Sequence, residues 1–329
     1  MNHLLHADIV SVDQFDRNAL TGLFTLADRC LPIARGEARC EALRGRVLAN
    51  LFFEPSTRTR LSFGTAFLRL GGALETTVGL QFSSMAKGET LEDTIRVIDG
   101  YADVLVLRHP EEGSARRAAR VASRPVVNAG DGPGEHPSQA LLDVYTLQRE
   151  LGRVDGLRVA LVGDLRYGRT VHSLARLLTR FDDVSLVLCA PPGLDMPRTI
   201  TTELSRAGVR WHATESLRDA FEDADVAYVT RIQAERFEDP TEAARYVGNY
   251  VVNLALLESI GRTDITLLHP LPRHGDLSAD LDHLPGAAWF RQSHYGVPIR
   301  MAMFCALFGV EPTPAYPIEP PTPSPQPAP

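Results

Sequence analysis

Short runs rich in valine, isoleucine and leucine punctuate the chain at residues 47–53, 103–107, 125–128, 158–163, 184–189, 225–230 and 265–268. Most are followed by a polar or glycine-containing turn, and their length suits strands buried on both faces. Between them lie longer stretches of helical period. Residues 58–70 place Phe63, Phe67 and Leu70 at i, i+4 and i+7, which makes one apolar stripe. Residues 137–151 begin with Pro137, whose missing N–H is harmless at a first helical position, and form a helix long enough to join two domains. A segment at about 297–308, VPIRMAMFCALF, is apolar nearly all round and is expected to be buried, packed back on the first domain. This alternation predicts an α/β protein with mostly parallel sheets flanked by helices. At roughly 100–200 residues per domain, a chain of 329 residues forms two domains.

The last residues break the pattern. Residues 311–329 hold nine of the 23 prolines, a composition that predicts an extended, disordered, polyproline-like tail. It serves either no task or the docking of an aromatic groove. The rest is ordinary for a globular chain, with 44% apolar and 23% charged residues. A net charge of -7 gives no bulk attraction for phosphate polymers or anionic lipid, so neither nucleic acid nor membrane is an expected partner. Cys30, Cys40, Cys189 and Cys305 form no CxxC pair, the N-terminus carries no apolar leader, and nowhere do roughly 18 apolar residues run uninterrupted. The expected location is the cytoplasm, with the cysteines as small core residues.

Phosphate chemistry must then come from a local basic site, and several segments could supply one. In FFEPSTRTRLSF (52–63), Ser56, Thr57, Arg58, Thr59 and Arg60 follow a strand and enter a helix, so hydroxyls, guanidinium and free N–H groups converge at the positive end of a helix dipole. Arg108 ends the 103–107 strand, where open α/β sheets place ligands. In NAGDGPGEHPSQ (128–139), His136 and Gln139 lie three residues apart at a helix entry, facing the same side, which suits a polarised carbonyl beside an NH₂ group. GDLRYGRT (163–170) has the spacing of an NTP-binding loop, but Arg169 stands where that loop needs a compact lysine, and no GxGxxG is present. What remains is a guanidinium suited to bidentate binding of a carboxylate, and Arg231 with Gln233 follows another strand in the same way. In HPLPR (269–273) two prolines stiffen a turn whose carbonyls could hold an ammonium or amide.

In this order STRTR, VLRHP, NAGDGPGEHPSQ, GDLRYGRTVHSL, TRIQ and HPLPR resemble the catalytic chains of aspartate carbamoyltransferases, within the aspartate/ornithine carbamoyltransferase superfamily, over about residues 45–308. The ornithine branch carries a cysteine in an HCLP turn, whereas here Pro270 follows His269, which favours the aspartate branch. The resemblance implies a carbamoyl phosphate domain over 1–140, completed by the C-terminal helix at about 297–309, and a Rossmann-like aspartate domain over 141–296. It implies that Ser56, Thr57, Arg58, Thr59 and Arg108 hold the phosphate, that Thr59, Arg108 and His136 polarise the carbonyl, and that Gln139 binds the carbamoyl nitrogen. Arg58, Thr59, Arg108 and His136 are then the catalytic set. Ser83 and Lys87 match a serine and a lysine that reach in from a neighbouring subunit, so a homotrimer with shared sites follows. Arg169, Arg231, Gln233, Leu271 and Pro272, with Lys87, would bind aspartate, and Glu54 and Arg236 match residues that link the domains on closure.

The implied reaction gives N-carbamoyl-L-aspartate and phosphate, an early step of pyrimidine synthesis, without metal or organic cofactor. A regulatory chain or a dihydroorotase-like partner is compatible with it. Departures from the family pattern are His274-Gly275-Asp276 after HPLPR, where a valine and two acids are usual, and His294. Two other readings compete: transfer to a different amine acceptor, and a catalytically silent subunit that docks through the proline tail.

Overall fold

The computed structural model describes residues 4–237, 239, 245–246, 248 and 250–317. The chain forms two domains, each built on a parallel sheet flanked by helices. Four strands make the first sheet: β1 (Val47–Phe52), β2 (Ala73–Val78), β3 (Val104–His109) and β4 (Val126–Asp131), in the order β2-β1-β3-β4. The second has five: β5 (Arg158–Gly163), β6 (Ser185–Cys189), β7 (Arg210–Thr214), β8 (Val226–Thr230) and β9 (Thr266–Leu268), ordered β9-β8-β5-β6-β7. Helices α1 (Arg17–Ala34), α2 (Thr57–Arg69), α3 (Leu91–Asp99) and α4 (Ser114–Val121) belong to the first half, and α5 (Pro137–Leu151) crosses to the second. There α6 (Arg169–Leu178), α7 (Arg198–Arg206), α8 (Leu217–Glu222) and α9 (Leu254–Ser259) follow, before α10 (Trp289–Phe308) returns to pack on α1, α2 and α5.

Each sheet reverses its winding once, at β1/β3 in the first and at β5/β8 in the second. The loops leaving neighbouring strands there diverge to opposite faces, and the gap between them is where open parallel sheets bind ligands. Every expected strand is present, with β3 extending to His109 and β4 to Asp131. The edge strands β2 and β7 were not foreseen. Almost none of their residues is fully buried, so they lack the apolar run that marks a central strand.

The last helix is expected from about 297 but begins at Trp289. Pro298 sits in its interior rather than in its first turn, and the polar stretch before it, which includes Gln292, is helical. Its apolar positions carry the first domain's core: Phe67 packs edge-on against Phe304 at 4.9 Å between ring centroids, and Phe63 lies 6.0 Å from the same ring. The 311–329 segment also differs from the extended, disordered tail expected of it, at least over 311–317. Tyr316–Pro317 pairs antiparallel with Ala38–Arg39, and the Ala315 amide donates to the Arg39 carbonyl at 2.8 Å. A proline at the rim of a two-residue ribbon removes no interior ladder bond. Residues 318–329 of that expectation lie outside the described residues. Cys30, Cys40, Cys189 and Cys305 are free and buried. Among the described residues no helix is long and apolar enough to cross a membrane.

Candidate active site

The two reversal points face each other across a cavity of about 430 Å³. From the first domain it is lined by Ser56, Thr57, Arg58, Thr59, Arg108, His136 and Gln139, and from the second by Arg169, Arg231, Gln233, Leu271 and Pro272. These include the expected substrate-contacting residues except Ser83 and Lys87, while Arg60, in the second turn of the helix, does not line the cavity. Ser83 caps a short turn, its hydroxyl donating to the Leu80 carbonyl at 2.8 Å, and Lys87 is exposed at the end of the next turn. Both lie on a loop away from this cavity.

Ser56 occupies the N-cap of α2, yet its hydroxyl makes no capping hydrogen bond, so the side chain is not spent on the helix it opens. The chain turns there because Pro55 follows the buried end of β1 and cannot extend the ladder. Arg108, nearly buried at the end of β3, donates to the Ala129 carbonyl at 3.2 Å and to Glu54 at 3.1 Å. The other Glu54 oxygen lies 3.7 Å from Arg169, the first residue of α6, so one carboxylate of the first domain faces an arginine from each half. Arg169 and Arg236 both donate to the carbonyl of Gly132. Glu54 and Arg236 thus stand on the domain seam, as the family resemblance implied.

Gly130 shows how close the guanidiniums come. Its φ is 118°, and a Cβ there would lie 2.9 Å from Arg169 and 3.0 Å from Arg108. Burial pushes the Arg169 guanidinium down to about 9, with Arg108 adding to the shift, and Arg58 and Arg108 move the same way for the same first cause. Arginine does not give up its proton in proteins. The shifts therefore describe crowded cations that an anion would relieve. His136, the N-cap of α5, is held well below the usual imidazole range by burial first and then by Arg169, Arg108 and Arg300, so it is neutral. A neutral imidazole among cations can donate or accept a hydrogen bond without adding to the repulsion.

On the second-domain side, Asp164 ties the two loops of the reversal point together. Its carboxylate accepts from the Tyr167 and Gln233 amides, both at 2.9 Å. Arg231 is paired with Glu235 through its two terminal guanidinium nitrogens. The Leu271–Pro272 peptide is cis, and the Leu271 amide donates to His269 Nδ1 at 2.8 Å. Asp276, at the end of the segment that departs from the family pattern, is nearly buried and accepts from His269 Nε2 and from the His274 amide. The acid that remains in this loop therefore braces HPLPR from behind.

Two family models cover the chain. One, the aspartate/ornithine carbamoyltransferase carbamoyl-P binding domain, matches residues 7–149, and the other, the aspartate/ornithine carbamoyltransferase Asp/Orn binding domain, matches residues 155–307. The chain belongs to the aspartate/ornithine carbamoyltransferase family. Among its relatives in that family, aspartate carbamoyltransferase 3, chloroplastic, of Pisum sativum is 50% identical over 90% of this chain and 76% of its own length. The aspartate carbamoyltransferase catalytic subunit of Methanocaldococcus jannaschii is 46% identical over 90% of this chain and 95% of its own. The crystal structure of the Trypanosoma cruzi aspartate transcarbamoylase in complex with carbamoyl aspartate and phosphate matches with a TM-score of 0.88 at 40% identity, covering 93% of this chain and 98% of that one.

In and behind the cavity wall lies a group of residues that sequence reasoning about the carbamoyltransferase motifs did not single out. Asp143, one turn beyond Gln139 on α5, is fully buried and accepts from Gln139 at 2.9 Å, Gln292 at 2.7 Å and Tyr228 at 2.9 Å. Arg300 of α10 donates to Ser62 at 2.7 Å and Ser138 at 3.3 Å, and stacks over Phe63 at 4.7 Å. The available signal was a lone acid and a lone cation inside otherwise apolar helical runs, which are expensive to bury without partners.

Proposed function

We propose that the chain transfers the carbamoyl group of carbamoyl phosphate to the α-amine of L-aspartate, giving N-carbamoyl-L-aspartate and phosphate. The observation that carries this reading is the meeting, in one cavity, of the hydroxyl and arginine loop of residues 56–59 with Arg169, Arg231 and Gln233 from the facing domain. The first set is an anion cradle at a helix N-terminus beside a neutral imidazole. The second presents guanidiniums with the fork geometry that matches carboxylates.

In this reading Ser56, Thr57, Arg58, Thr59 and Arg108 hold the phosphate, and Thr59, Arg108 and His136 surround the carbonyl oxygen. The amine nitrogen bonds to the carbamoyl carbon, the oxyanion forms against those donors, the C–O bond to phosphate breaks, and the departing phosphate takes the amine proton. Arg169, Arg231 and Gln233 hold the aspartate carboxylates, and the Leu271 carbonyl, beside Pro272, receives N–H groups of the substrates. Arg231 must leave Glu235 at least in part to do so. The exposed Lys87 and nearby Ser83 support a homotrimer in which each cavity is completed by a neighbour's loop, acting in the cytoplasm at an early step of pyrimidine synthesis.

The test is product formation by the purified chain from carbamoyl phosphate with L-aspartate, beside L-ornithine. Carbamoyl-aspartate is expected only with aspartate, and carbamoyl-ornithine instead would overturn the acceptor.

A further inference from the structure

We propose that Asp143 is a positioning residue that selects a carbamoyl over an acyl phosphate by fixing which end of the Gln139 amide faces the cavity. The inference rests on the carbamoyl phosphate reading above and goes beyond it. An ionised carboxylate accepts hydrogen bonds and cannot donate them, so the atom of Gln139 lying 2.9 Å from Asp143 is the NH₂ group. The carbonyl oxygen of that amide is then turned away from the carboxylate, and Gln139 lines the cavity.

The same logic fixes Gln292 independently. Its oxygen accepts from the His269 amide at 2.8 Å, which leaves its nitrogen for Asp143 at 2.7 Å. With Tyr228 donating to the second carboxylate oxygen, a flip of either amide would break its bond to Asp143.

Selectivity follows from what the rest of the cavity offers. Arg58, Arg108, Arg169 and Arg300 can only donate, and one oxygen of the Glu54 carboxylate is taken by Arg108. The Gln139 oxygen, beside the Leu271 carbonyl, is therefore an acceptor for a substrate NH₂ group. Acetyl phosphate has the same phosphate and carbonyl but a methyl group in place of NH₂, and it would leave that oxygen unpaired. An Asp143→Asn side chain can donate as well as accept, which frees the Gln139 amide to rotate and removes the distinction.

The carboxyl itself is pushed up to about 7, by burial first, against the pull of Gln292, Tyr228 and Gln139 and of the Arg300 charge. Tyr228 from β8 and Arg300 from α10 are the ionisable groups that face it from other elements. Once protonated, Asp143 can also donate, and the preference should shrink as pH falls through that value.

The experiment is calorimetric titration of the chain with carbamoyl phosphate and with acetyl phosphate, with carbamoyl-aspartate formation followed separately. Asp143→Asn, its fold checked by circular dichroism, is expected to lose about tenfold of the preference for carbamoyl phosphate. In a Gln139→Ala background the same change is expected to remove nothing further, because the carboxylate acts only through the amide. A folded Asp143→Asn variant that keeps its preference overturns the assignment. So does a parent chain whose preference is constant from about pH 8 to about pH 6, a measurement that needs no variant. A parent chain that shows the preference and its pH dependence yet makes no carbamoyl-aspartate overturns the reaction and leaves the Asp143 assignment standing.

Discussion

Guanidiniums buried beside one another destabilise a fold unless an anion sits among them, and Arg108 and Arg169 are in that position, with Glu54 as their shared counter-charge. Replacing Arg108 by alanine is therefore expected to leave the fold intact while lowering kcat/KM by about 10²–10³, the usual loss when one preorganised donor at a developing oxyanion is removed. Steady-state rates beside the urea midpoint check it. Asp143 gives a stability prediction of opposite character. Its folded pKa is raised, so the native chain binds a proton that the unfolded chain releases, and this stabilisation is present at low pH and lost as pH rises through about 7. Asp143→Asn removes the dependence, so its denaturation midpoint should gain on the parent's between about pH 5 and pH 8. Ser56 to Thr59 and Arg108 were legible in the sequence because they cluster at strand ends, where a polar residue has little structural use. Asp143 and Arg300 were not, since each sits alone in a helical run and its partners come from distant segments.

Among the elements, central strands announce themselves and edge strands do not. The runs at 47–53 and 158–163 are sandwiched between helices and must be apolar throughout, whereas β2 and β7 meet solvent and read as loop. The sites were readable all the same, because both reversal points lie at central strands. For the helices the Phe63, Phe67, Leu70 stripe foretold the buried face of α2, and the apolar run at 297–308 foretold that the last helix packs back on this domain. Phe67→Ala should cost about 3–5 kcal/mol by chemical denaturation, since the ring is fully buried between Phe304 and Phe308 and little around it can collapse.

At the scale of the whole molecule, the cavity described here holds all the proposed substrate contacts but Ser83 and Lys87. If neighbouring copies complete it, Lys87→Ala and Arg108→Ala chains mixed through dissociation and reassembly should regain activity that neither has alone, because some cavities then receive an intact loop and an intact arginine. Rates before and after mixing decide the point, and no regain would mean that each cavity works by itself. The proposed closed oligomer rests on family resemblance alone, as no residue pattern states which surface meets which.

The return of α10 to the first domain also sets an order in time. A ribosome releases residues 1–140 long before it makes Trp289–Phe308, so the half synthesised first waits for the last helix to fill its core and to bring Arg300 against Ser62 and Ser138. A chain stalled before that helix exposes the apolar faces of α1 and α2 and lacks a wall of its cavity. A chain without this helix is therefore expected to bind substrates weakly and to expose apolar surface.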